Sequence, residues 1–223
     1  MKISKKKHLE MALEKVPRHP NPKVELEQYS TPAPIAADLL WNAAALGDIG
    51  GRNVLDIGCG CGILAIGSSL MNSNFSMGVD VDGESIELAR KTQNDLHVDN
   101  LDFVVGDIDE FDDIHELLNA ADSNKPFENI GFDTVIHNPP FGSQEKSKKH
   151  ADRKFMEFAI NSADVSYSFH MASTEEFVID FYRELGAEVT HKLVYKFPIP
   201  RTYDFHTKDS RDVKVVVLRA ERV

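Results

Sequence analysis

Asn138-Pro139-Pro140-Phe141 follows an apolar, β-branched run, Phe132-Asp133-Thr134-Val135-Ile136-His137, that reads as a central strand. The two prolines forbid further ladder pairing and set a stiff turn. Such a turn aims the Asn138 side-chain oxygen and the Pro139 carbonyl into one pocket. Two acceptors placed this way match the two hydrogens of an exocyclic –NH2. Holding them draws the nitrogen lone pair out of conjugation and toward an electrophile. The chemistry that fits is an in-line methyl transfer, governed by alignment and by stabilising charge that develops on nitrogen. No dedicated general base is required, because the nitrogen sheds its proton after becoming cationic. Phe141 offers a ring on which a planar base can stack. Taken alone, Asn-Pro is also an ordinary turn former.

The electrophile's carrier has its own signature upstream. Asp56-Ile57-Gly58-Cys59-Gly60-Cys61-Gly62 lies between Asn53-Val54-Leu55 and Ile63-Leu64-Ala65-Ile66, a strand–turn–helix setting. Glycines allow positive φ and close backbone approach to a ligand, and the following helix presents free N–H groups. A glycine loop of this kind also fits a dinucleotide. Asp56, however, would repel a pyrophosphate, whereas it suits a cationic sulfonium and amino-acid moiety. Ser76-Met77-Gly78-Val79 then runs into Asp80, and Phe103-Val104-Val105-Gly106 into Asp107. Both acids are expected at carboxyl ends of strands, where open α/β sheets gather ligands. Asp80 suits ribose hydroxyls and Asp107 an adenine amino group; the alternative is that each caps the next helix.

These motifs must be positioned by alternating strands and helices. Leu9, Ala12, Leu13 and Val16 space a short helix ended by Pro17, and Pro20-Asn21-Pro22 marks an extended connector. Ile35, Ala36, Leu39, Leu40, Ala43 and Ala44 form a helical stripe before the first strand. Helices are expected near 62–71, 83–95, 110–120 and 152–164, with Phe155, Phe158, Ala159 and Ala163 of the last read as core. Val165–His170 is the fifth strand, Ser173-Thr174-Glu175-Glu176 a capping box, and strands near 187–196 and 212–219 complete a seven-stranded sheet. Phe197-Pro198-Ile199-Pro200, with Tyr203 and Phe205, reads as an aromatic loop that either packs or walls the substrate pocket. Gly142–His150 is polar and reads as a lid. The fold class is therefore α/β: a Rossmann-like, seven-stranded, mostly parallel sheet with an antiparallel last strand and helices on both faces.

With these motifs in this order, the chain resembles, end to end, the methyltransferase-like protein 5 family of class I S-adenosylmethionine-dependent methyltransferases. The resemblance rests on Leu26-Glu27-Gln28-Tyr29-x-Thr31, Asp56-x-Gly-Cys-Gly-Cys-Gly62, Asp80, Asp107 and Asn138-Pro139-Pro140-Phe141-Gly142. It implies N6-methylation of adenosine in small-subunit (18S) ribosomal RNA with S-adenosyl-L-methionine as cofactor. It carries Gln28, Thr31, Asp56, Gly58, Cys61, Ile63, Asp80, Asp107 and Ile108 over as cofactor-binding positions, with Gln28 and Thr31 on a segment folded over the cofactor. Asn138, Pro139, Pro140 and Phe141 carry over as the catalytic tetrad. Ser30 stands where some relatives have Pro, and the stretch from Glu110 to Ile130 is longer than the family leads one to expect. Two other functions remain open: methylation of a glutamine amide in a release factor, whose enzymes usually carry Asn-Pro-Pro-Tyr, and a noncatalytic cofactor-binding scaffold, which would not need all four polar positions.

Composition agrees. The 223 residues suit one α/β domain, with residues 1–50 an N-terminal helical and lid extension and 51–223 the core. The longest apolar runs are too short to span a bilayer, and Met1–Lys7 lacks the apolar core of a signal peptide. Cys59 and Cys61, the two cysteines, are poorly spaced for a disulfide and too few for structural zinc. His137, His170, His191 and His206 match no ligand motif, and no metal is expected. A reducing compartment, nucleus and cytoplasm, fits. A net charge of −11 excludes avid binding of nucleic acid over the whole surface, so RNA contact falls to local clusters: Lys146, Lys148, Lys149, Arg153 and Lys154 beside the tetrad, where phosphates flanking an everted adenosine would lie. Lys5, Lys6, Lys7, Arg201 and Lys208 add lesser sets. Finally, Leu101–Val105 is expected at the sheet edge, apolar and without Lys or Pro. It invites strand addition by another chain. The family resemblance supplies the candidate, a small zinc-binding activator subunit forming a heterodimer.

Overall fold

In the computed structural model, residues 3–23, 26–120, 130–141, 151–200 and 210–223 are described. The chain runs α1 (Lys6–Leu13), α2 (Ala33–Ala45), β1 (Asn53–Ile57), α3 (Ile63–Leu70), β2 (Phe75–Asp80), α4 (Gly83–Leu96), β3 (Leu101–Val105), α5 (Ile114–Ala120), β4 (Thr134–His137), α6 (Ala151–Ser162), β5 (Val165–Met171), α7 (Glu175–Glu184), β6 (Ala187–Pro200) and β7 (Ser210–Arg222). Seven strands form one sheet in the order β3-β2-β1-β4-β5-β7-β6. The first five are parallel, while β7 runs antiparallel to both β5 and β6. This is the expected class, and it brings the ends of β1, β2 and β4 together at the carboxyl edge.

Alternation of side chains along the strands divides the core into layers. Val54, Phe103, Ile136 and Phe169 face Leu39, Leu40, Ala65 and Ile66 of α2 and α3. Leu55, Met77 and Val135 face Leu117 of α5 and Phe158 of α6 on the other side. A third cluster seals α6 and α7 onto β7 through Met156, Ile160, Val178 and Tyr182. Where α2 meets β1, Asp48 is buried with Arg219 (2.7 Å) and the Tyr167 hydroxyl. A buried charge is tolerated when it is paired and hydrogen-bonded.

Three local expectations change. No capping box opens α7: Ala172–Thr174 is a 3-10 turn, and the Thr174 hydroxyl donates back to the Met171 carbonyl instead. The segment Phe197–Pro200 is not a loop but the end of β6, where an edge strand tolerates Pro198 and Pro200. The region before α5 holds a short 3-10 helix, Ile108–Glu110. No helix among the described residues is long and apolar enough to cross a membrane.

Candidate active site

A cleft of about 650 Å³ lies at the carboxyl edge of β1, β2 and β4, within the usual range for a small-molecule cofactor. All nine expected cofactor positions line it: Gln28, Thr31, Asp56, Gly58, Cys61, Ile63, Asp80, Asp107 and Ile108. Asn138 and Pro140 close one end. Pro139 is buried behind them. Phe141 stands edge-on to Phe197, centroids 6.0 Å apart at 90°, so the buried Phe197 ring is core that backs the tetrad.

The floor is set by close approach. Gly58 and Gly62 hold φ of 66° and 83°, and a Cβ on Gly62 would meet the Phe103 ring at 2.6 Å. Only glycine fits there. Asp56 lies buried beneath, with Oδ2 accepting from Ala65 N at 2.9 Å while Oδ1 has no partner among the described residues. Burial pushes its carboxyl well above the ordinary range, against the pull of the Ala65 N–H, and the neighbouring Asp80 adds to the rise. A cation in the cleft would reverse that. Asp80 Oδ2 accepts from Gly60 N at 2.7 Å and Oδ1 from Asp82 N at 2.9 Å. Burial raises its carboxyl too, despite those two donors. Asp107 caps the 3-10 turn through Asp109 N at 3.0 Å and still lines the cleft; capping and lining coexist there. Burial holds the Cys61 thiol at about 11, so it faces the cleft as a neutral group.

The opposite wall is the segment between α1 and α2, and its anchor is Asp82, a residue that no motif singles out. Lys23 Nζ and Gln28 Nε2 each donate to this carboxylate at 2.7 Å, Ser85 Oγ donates at 3.0 Å, and His19 Nε2 lies 3.3 Å away. Burial alone would raise the Asp82 carboxyl, but donation from Lys23, Gln28 and Ser85 outweighs it and holds it at about 2. His19, Asp82 and Glu84 are close enough to suggest cation ligands, yet the Asp82 oxygens are already taken by these donors. Gln28 uses both ends of its amide, because Oε1 also accepts from Lys23 N at 2.7 Å. It lines the cleft as a strut of the covering segment.

At the Asn-Pro-Pro-Phe turn, Asn138 Nδ2 donates to Thr31 Oγ1 at 3.1 Å. Asn138 Oδ1 is buried and has no partner among the described residues. Thr31 therefore fixes the amide so that its acceptor, not its donor, is left for a ligand. His137 stacks on Phe155 at 6.0 Å and 23°. Burial, with His170 nearby, holds its imidazole well below the ordinary range, and burial takes His170 to about 3. Both are therefore neutral. Phe155 packs against the core, as expected, and also lines the cleft beside Gly58. Helical spacing cannot distinguish a core ring from one at a cavity wall. Of the basic cluster, Lys154 pairs with Asp112 at 3.3 Å and Arg153 lies over α7; Lys146, Lys148 and Lys149, the expected lid 142–150, Tyr203, Phe205, Arg201 and Lys208 fall outside the described residues.

The chain is 32% identical to the rRNA N(6)-adenosine-methyltransferase Mettl5 of Drosophila melanogaster, covering 97% of this chain and 96% of the relative. It belongs to the methyltransferase-like protein 5 family. The family model for the methyltransferase small domain matches residues 35–164, a span that holds the glycine loop and the tetrad. An uncharacterized protein of Methanocaldococcus jannaschii is 42% identical over 98% of this chain and 95% of its own. A solved structure from Pyrococcus horikoshii superposes with a TM-score of 0.83 at 37% identity, covering 99% of both chains. In a methyltransferase-like protein 5 fold the cleft is the place for S-adenosylmethionine, and the residues present fit it: an unpartnered carboxylate oxygen for the cationic end, Asp80 for hydroxyls and a glycine floor. Thr31→Val tests the amide lock. It should lower kcat about tenfold, the effect of one lost hydrogen bond of about 1.4 kcal/mol, with S-adenosylhomocysteine affinity by calorimetry changed far less.

Proposed function

We propose that this protein transfers a methyl group from S-adenosylmethionine to the N6 nitrogen of an adenosine in small-subunit (18S) ribosomal RNA. The observation that carries the reading is the buried, partnerless Asn138 Oδ1 at the end of the cleft, oriented by Thr31. The cofactor supplies an electrophilic methyl on a cationic sulfur. Asn138 Oδ1 and the Pro139 carbonyl accept the two amino hydrogens, rehybridise the nitrogen and hold its lone pair in line. Asp56 offsets the positive charge of the cofactor, Asp80 accepts from its ribose and Asp107 from its base. The nearly full-length relatedness to an rRNA adenosine methyltransferase, and Phe141 in place of the usual tyrosine, favour adenine over a glutamine amide. A mixed-acceptor assay separates them. With tritiated S-adenosylmethionine, deproteinised small-subunit rRNA and a release factor together, label should enter the RNA; label in the protein would replace this reading with glutamine methylation.

We further propose that a small zinc-binding activator subunit adds a strand at Leu101–Val105. β3 is an edge of the sheet, and Val105 is exposed. The opposite edge, β6, carries Lys192, Lys196, Pro198 and Pro200 and a bulge at Val189/His191, all devices against pairing. Contrary to the sequence expectation, β3 is not without protection. Ser76 N bonds Asn100 O and Gly106 N bonds Asp80 O, so Leu101 and Phe103 direct their backbone groups outward. Gln93 and Arg90 of α4 donate to those two carbonyls at 2.6 and 2.5 Å, and Asp102 accepts from Phe103 N at 2.8 Å. An incoming strand takes over these groups. Val105→Lys should abolish co-elution with the co-expressed activator on size-exclusion chromatography while leaving the melting temperature of the chain alone near wild type. A soluble, fully active chain that forms no complex would refute the partner.

A further inference from the structure

Arg153 differs from the other arginines near it. Arg183 pairs with Asp180, Arg222 reaches Asp164 and Arg219 is held by Asp48 and Glu221. Arg153 has no carboxylate in ion-pair range among the described residues, and its Nε is buried without a hydrogen-bond partner. Its guanidinium instead lies 4.7 Å from the centroid of Phe177 and 5.5 Å from that of Phe181. Those two rings, one helical turn apart on α7, are themselves stacked at 6.0 Å and 15°. Phe177 is 41% exposed, the one phenyl ring left so among the described residues.

The ledge stands at the active edge of the sheet. α7 follows the carboxyl end of β5, which is paired in parallel with β4 and so lies beside Asn138. Arg153 precedes Phe155, the ring on the cleft wall, by two residues, about 3 Å along α6 but about 200° around it, so the ledge lies on the other face of α6, beside the cleft rather than in it. Of the acids around it, Glu175 pairs with Lys192 and Asp180 with Arg183, which leaves Asp152, Glu157 and Glu176. A guanidinium lying flat on an aromatic ring keeps its in-plane donors for a phosphate. The part of the Phe177 ring left exposed beside the guanidinium and Phe181 offers a base a surface to stack on, the combination by which unpaired RNA is bound. On a chain with net charge −11, phosphates must be met by single cations placed this way rather than by a general field.

We propose that Arg153, Phe177 and Phe181 form a stacking ledge for an unpaired nucleotide flanking the target adenosine, its base on Phe177 and its phosphate on the Arg153 guanidinium. This rests on the rRNA reading and adds where the RNA strand leaves the site. Steady-state methylation of transcribed small-subunit rRNA tests it. Phe177→Ala should raise the KM for RNA about tenfold, the loss of one stacked base, with kcat held within about twofold and S-adenosylhomocysteine affinity unchanged. Phe177→Trp should restore the KM. Arg153→Lys, which keeps charge but not the plane, should raise it severalfold. Phe177 is exposed rather than core, and a melting curve of each variant checks folding. An RNA KM in Phe177→Ala equal to wild type would overturn the ledge alone. Label that wild type places on no RNA at all would overturn the rRNA reading and the ledge with it. If Phe177→Ala instead loses the activator subunit while its RNA KM stays put, the face belongs to a protein contact and the ledge is refuted.

Discussion

Replacing Asn138 with Ala is expected to lower the methyl-transfer rate at least about a hundredfold, the scale of losing one preorganised polar group at a reacting centre. Cofactor affinity should stay near wild type. The acceptor lost is Oδ1, which is buried and without a partner among the described residues, so its removal breaks no hydrogen bond there on that side. What the fold does lose is the 3.1 Å bond to Thr31, a part-buried contact that contributes about 1 kcal/mol. The rate effect therefore far exceeds the stability effect. Turnover above about a third of wild type at saturating cofactor and RNA would contradict the role assigned to this amide.

Asp80→Ala should weaken cofactor binding by about 1–3 kcal/mol, measured by calorimetric titration with S-adenosylhomocysteine. Two losses combine. The ribose hydroxyls lose a charge-assisted acceptor, and Gly60 and Asp82 lose the carboxylate that their backbone N–H groups donate to at 2.7 and 2.9 Å. Asp80→Asn separates the two, because an amide keeps one acceptor oxygen of the same reach. It should retain a larger share of the affinity than the alanine variant. Unchanged affinity in both would place the ribose elsewhere in the cleft.

The parts of the site that sequence made legible are those carried by short contiguous motifs. A glycine loop between apolar runs, acids at strand ends and Asn-Pro-Pro-Phe each specify a local geometry through φ limits and missing donors. Their convergence then follows from parallel strand order. The parts that stayed hidden depend on contacts between distant positions. Asp82 collects donors from residues 54 to 59 positions upstream, Gln28 and Lys23, and nothing in Val81-Asp82-Gly83 marks it. Thr31 meets Asn138 across 107 residues. Phe155 occupies a helical stripe that reads as core, and only the Gly58 turn beneath it shows that it walls the cleft. At β3, Leu101–Val105 reads as an unguarded edge because its guards, Arg90 and Gln93, belong to the preceding helix. The absent capping box at Ser173 has the same origin: β5 runs one residue further than its pattern suggests and a 3-10 turn takes up the interval.

The central claim is that the acceptor atom is N6 of adenosine. The measurement that meets it most directly is complete nuclease digestion of small-subunit rRNA labelled by the purified protein, followed by chromatographic and mass-spectrometric identification of the methylated nucleoside. The expected product is N6-methyladenosine carrying the label, absent when Asn138→Ala replaces wild type. Label in a different nucleoside, or at N1 of adenosine, whose geometry offers no pair of amino hydrogens to Asn138 and Pro139, would contradict it.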